Sequence, residues 1–104
     1  MALTSEQINL ILSDVKNFLR VTWNEEDAEL TRMIQRSMAY FKSITGAELD
    51  YIVDERAKDL LLERCRYVYN RSAEEFENNF RHELLNLQFR VAVDERRERL
   101  ESET

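Results

Sequence analysis

An all-α domain is what this sequence predicts, and three observations carry the prediction. Proline is absent and glycine occurs once, at Gly46, so the residues that build tight turns between short strands are missing. Strong helix formers (Glu, Arg, Leu, Ala, Lys and Gln) run through the whole chain. Apolar residues recur at three- and four-residue intervals along four separate stretches. At 104 residues the chain has the size of one domain, able to bury roughly 60 to 70% of the surface its unfolded form exposes.

The first stretch opens with Thr4 and Gln7, spaced as a capping box, followed by Ile8, Ile11, Leu12, Val15, Phe18 and Leu19 on one face. This predicts a helix over about 5–19. The segment Arg20 to Asn24 breaks the period, and Asn24 is placed to cap a second helix over 24–45. Its first turn holds Glu25, Glu26 and Asp27, carboxylates that complement the positive end of a helix. Leu30, Ile34, Met38, Phe41 and Ile44 mark its buried stripe, and Gly46 stands where a left-handed C-cap belongs.

Residues 47–53 mix β-branched and aromatic side chains and read as a brief extended or 3₁₀ connector. A third helix over 54–70 presents Ala57, Leu60, Leu61, Cys65 and Val68. After a two-residue joint at Asn70 and Arg71, Ser72 and Glu75 form a second capping-box pattern. They open a fourth helix over 72–91 with Phe76, Phe80, Leu84, Leu87 and Val91 on one side. So short a joint predicts an αα-hairpin. Residues 94–104 contain Leu100 as their one large apolar side chain, which predicts a charged tail, flexible, extended or frayed. The organisation expected is therefore a four-helix domain over 1–93 and a tail over 94–104.

Charge and composition exclude several functions. Fifteen basic against twenty-one acidic residues leave a formal charge of -6, the wrong sign for tight, salt-dependent nucleic-acid binding. The opening MALTSEQ has no basic region, and no apolar run approaches membrane-spanning length. Neither export nor membrane insertion is expected. The lone Cys65 has no internal disulfide partner and reads as a small buried thiol. His82 is the sole histidine, so a zinc cage or a pair of Glu-x-x-His motifs cannot be assembled. One glycine cannot make a phosphate loop. No metal, cofactor or catalytic residue is predicted, and the acidic clusters at 25–27 and 74–77 are explained by helix-end electrostatics.

The remaining candidates concern partners. Arg96, Arg97 and Arg99 form the best basic cluster, but Arg90 through Glu101 contains four cations and four anions, the mark of a solvated, charge-mixed face. Trp23 and Tyr51, with Tyr67 and Tyr69 nearby, are either interface anchors or closers of the domain's own core. The candidate partner interface is accordingly Trp23, Tyr51, Arg90, Arg96, Arg97 and Arg99.

Three stretches resemble a known family. FLRVTWNEEDAELTRMIQRSMAYFKSITG (18–46), LLLERCRYVYNRS (60–72) and EEFENNFRHELLNLQFRV (74–91) are similar, in order and spacing, to bacteriophage head-tail connector proteins. The chain departs from many relatives in lacking proline after Gly46. The resemblance implies a non-enzymatic, head-completion adaptor of a phage or prophage virion, present in the host cytoplasm during assembly. It implies a ring beneath the portal protein, twelve-fold on the portal, that extends the DNA channel and receives the next head-completion or tail component. DNA would pass without specific binding, and the isolated chain would be either monomer or ring. The tail is expected to dock on the portal. The rival expectation is a small helical DNA-binding regulator, using Arg64, Arg66 and Arg71 on a recognition helix; an enzyme combining His82, Cys65 and a carboxylate is the third.

Overall fold

A computed structural model describes residues 3–103. Residues 1, 2 and 104, which open the expected helical domain and close the expected tail, lie outside the described residues. Among the described residues the chain forms five helices and no strand: α1 (Ser5–Leu19), α2 (Asp27–Thr45), α3 (Glu55–Tyr69), α4 (Ala73–Asn79) and α5 (Arg81–Ser102).

Local chemistry sets most boundaries. At Thr4 the capping box is complete: the Gln7 N–H donates to Thr4 Oγ1 at 3.2 Å and the Thr4 N–H donates to Gln7 Oε1 at 3.0 Å. Helix α1 stops at Arg20, which takes the left-handed conformation (φ 62°). Gly46 does the same for α2 at φ 77°, its N–H donating to the Lys42 carbonyl at 2.8 Å. Asp54 caps α3 by accepting from the Arg56 and Ala57 N–H groups.

The structure corrects the sequence reading at four boundaries. Helix α2 begins at Asp27, not Asn24, because the Asn24 side chain is engaged elsewhere, accepting from Lys16 Nζ at 2.7 Å; residues 24–26 form a turn instead. Ser72 makes no side-chain cap; its hydroxyl donates to the Asn70 carbonyl. The connector is neither strand nor 3₁₀ helix: the Asp50 carboxylate accepts from the Ile52 and Val53 N–H groups and folds 51–53 into a turn.

The fourth correction matters most for function. The single helix expected over 72–91 is two, α4 and α5, broken at Phe80 (φ −116°, ψ 24°). There the Phe80 ring stacks back on Phe76 (centroids 5.0 Å apart), and the Asn79 amide donates to the Tyr67 hydroxyl at 2.9 Å. The expected extended tail is the last three turns of α5. A helix already nucleated by residues 81–91 needs only propagation, and Glu, Arg and Leu propagate well. Residues 92–103 are all exposed, as the scarcity of apolar side chains predicts.

The core lies where the four predicted stripes meet. Ile11 and Val15 of α1, Ile34 and Phe41 of α2, Ala57, Leu60, Leu61 and Cys65 of α3, Phe76 of α4, and Leu84, Leu87 and Val91 of α5 form one cluster. Helix α3 packs on α1, α2 and α4, while α5 packs on α2 and α4. The Cα radius of gyration, 14.7 Å, exceeds the roughly 13 Å of a compact domain this size, as expected when the end of α5 runs past the core.

Phe76 is wholly enclosed and touches Tyr40, Phe41, Tyr67 and Phe80 edge-on or stacked. Phe76→Ala is expected to destabilise the fold by about 3–5 kcal/mol, measured by urea unfolding; a loss under 1 kcal/mol would show that α4 is dispensable to the core.

A candidate interaction surface on the last helix

The chemistry-bearing residues are dispersed. Cys65 is fully buried, its thiol near Ser37 Oγ at 3.7 Å, and burial pushes its pKa up to about 11. A thiol held protonated in the core is no nucleophile at neutral pH. His82 is exposed on α5. Among the described residues no group of His, Cys, Asp and Glu is placed to hold a metal ion, and no helix is long and apolar enough to cross a membrane.

The basic run that a recognition helix would need is divided: Arg64 turns inward, while Arg66 and Arg71 are exposed. The Arg64 guanidinium lies over the Tyr40 ring at 4.0 Å and near Phe76 at 5.3 Å, and its Nη1 donates to the Ala73 carbonyl at 3.3 Å. Its Nε is buried with no hydrogen-bond partner among the described residues. Arg66 is held by Glu63, and Arg71 forms the left-handed joint before α4 at φ 60°. Beside Arg64, burial followed by the hydrogen bond to Glu77 pushes the Tyr40 hydroxyl up to about 12.

The six residues read as a partner interface do not come together. Tyr51 is 3% exposed and packs against Phe41 inside the core, its hydroxyl pushed up by burial; it closes the domain's own interior and presents no surface. Trp23 is 45% exposed between α1 and α2, its indole N–H donating to Glu26 Oε2 at 2.6 Å. The same carboxylate accepts from the Tyr69 hydroxyl at 3.2 Å. Arg90 pairs with Asp54 at 2.7 Å. Burial raises the Asp54 pKa, but the bonds from Arg90 and from the Ala57 and Arg56 N–H groups prevail and hold it below the usual carboxylate range. Arg96, Arg97 and Arg99 stand exposed on the projecting end of α5, none paired with a carboxylate among the described residues.

A surface the sequence reading missed is more coherent. Leu85, Phe89, Val93 and Leu100 are all exposed on α5, Phe89 by 73%. At 100° per residue they lie on the side opposite Leu84, Leu87 and Val91. Helix α5 therefore has two apolar stripes, one facing the core and one facing outward. The signal was present in the spacing of 85, 89 and 93, four residues apart, but it is hidden in any search for a single apolar face because the two stripes cancel. Phe18, expected on the buried face of α1, is 40% exposed at the mouth of a groove between α1 and α3.

The sequence profile of the family described as "Phage gp6-like head-tail connector protein" matches residues 9–102. No curated protein and no solved structure matches the chain.

Thiol chemistry tests the placement of Cys65. Folded protein at neutral pH is expected to react with an aromatic disulfide reagent at least tenfold more slowly than protein unfolded in urea; equal rates would contradict burial of the thiol.

Proposed function

The chain belongs to the phage gp6-like head-tail connector family, whose members are structural, non-enzymatic phage proteins, and from this premise we propose that it assembles as a ring under the portal protein. In that position it extends the DNA exit channel and receives the next head-completion or tail component. The observation that carries the reading is the match over residues 9–102, which includes the projecting end of α5. A helix end that buries nothing against its own domain leaves its whole surface for another protein to cover.

Physical features support each part. A formal charge of -6 disfavours retention of phosphate by a channel wall, so DNA slides through without being held. The solvent-facing guanidiniums of Arg96, Arg97 and Arg99, with Leu100 beside them, offer the portal a mixed apolar and cationic contact. Trp23 is a second exposed anchor, available to a neighbouring component. Tyr51 and Arg90 have no part in it, the first enclosed and the second bound to Asp54. The rival DNA-binding reading loses its basic helix, since Arg64 is stacked on Tyr40 and Arg66 is paired.

Sedimentation of the full chain with a portal protein from a related phage is expected to give stoichiometric co-sedimentation, lost on truncation after Val93. Failure of the full chain to associate with any of several portals, together with specific, salt-sensitive binding of duplex DNA, would replace the adaptor by the regulator.

A further inference from the structure

We propose that the outward apolar face of α5, over Leu85, Phe89 and Val93, seats in the α1–α3 groove of a second copy of this chain. This names the contact between neighbouring copies and rests on the ring reading above.

Three observations carry it. The first is area: Leu85, Phe89 and Val93 form an exposed stripe along one side of α5, running from the part that covers the core to the start of the projecting end. Contiguous apolar surface of this kind marks a protein contact. The second is charge. Arg81 and Arg96, both exposed, bracket the stripe, and at 100° per residue the outward side between them contains His82, Asn86 and Ala92 but no carboxylate. That is a cationic face on an acidic protein. The third is a groove of opposite character on the same chain. Between α1 and α3, Phe18 and Leu62 are flanked by Asp14, Glu55 and Asp59, with Lys58 as the one cation, itself paired with Asp14. Glu55 and Asp59 are exposed.

A convex apolar ridge with cationic ends thus matches a groove that is apolar within and acidic at its rim. Because the ridge and the groove are different surfaces of one chain, the contact is head-to-tail, the class that closes into rings. Two α5 faces packing on each other would instead bring Arg81 and Arg96 of both copies together.

The test uses two full-length variants that each disable one surface at exposed positions: Phe89→Asp on the ridge, and Glu55→Lys with Asp59→Lys on the groove rim. Far-UV circular dichroism checks that both fold. In sedimentation velocity from micromolar to near-millimolar concentration, the unaltered chain is expected to self-associate and each variant alone to remain monomeric. An equimolar mixture of the variants is expected to give a one-to-one dimer that grows no further, since each retains one intact surface. Self-association that survives Phe89→Asp, or a mixture that stays monomeric, would overturn the contact. So would an unaltered chain that is monomeric at every concentration, even where co-sedimentation with a portal upholds the adaptor reading. Absence of both self-association and portal association would overturn the two together.

Discussion

The Phe76 ring sits among groups from every helix around it. Tyr40 and Phe41 come from α2, Tyr67 from α3, and Phe80 from the break before α5, all with ring centroids within 6.1 Å, while the Arg64 guanidinium lies 5.3 Å away. Edge-on aromatic pairs and cation–π contacts favour particular ring orientations, so this cluster constrains direction as well as burying area. The helix that begins at Ala73 ends at Phe80, whose backbone (φ −116°, ψ 24°) leaves the helical region while its ring stays stacked on Phe76. Helix α5 departs at the angle set there. Everything outward-facing on α5 depends on that angle: which side covers the core, which side meets solvent, and where the last three turns project.

Seen this way, α5 divides into parts with different energetics. Over residues 84–91 it buries Leu84, Leu87 and Val91 and contributes to the common core. Beyond Val91 it has only helix propensity and the preceding turns to hold it, with no tertiary burial. Its outward stripe spans both parts. A monomeric protein of this size gains nothing from leaving Phe89 mostly in water; a subunit that meets neighbours does. The non-enzymatic family assignment and the dispersal of Cys65, His82 and the carboxylates point the same way, toward contacts between proteins.

Much of this was legible from the amino-acid order, wherever one short segment decides the outcome. The Thr4–Gln7 box, the Gly46 stop and the buried stripes of α2 and α3 follow from side chains and backbone a few residues apart. What could not be read depended on distant partners. Asn24 looks like a cap until Lys16 claims its side chain; Phe80 looks helical, yet its backbone breaks the run where its ring meets Phe76 and Tyr67. Tyr51 falls in a short connector yet is enclosed because Phe41 lies against it. The outward stripe of α5 was obscured for another reason: its alternation with the inward stripe makes the helix look uniformly mixed.

The exposed end of α5 is the proposed contact with other virion proteins. Amide hydrogen exchange, followed residue by residue in the free chain and in its mixture with a portal protein, tests it directly. Residues 94–102 are predicted to exchange nearly unprotected when free and to become strongly protected on assembly, while α3 stays protected in both states. Unchanged exchange over 94–102 in a mixture where the two proteins co-sediment would contradict the claim and place the contact elsewhere on the molecule.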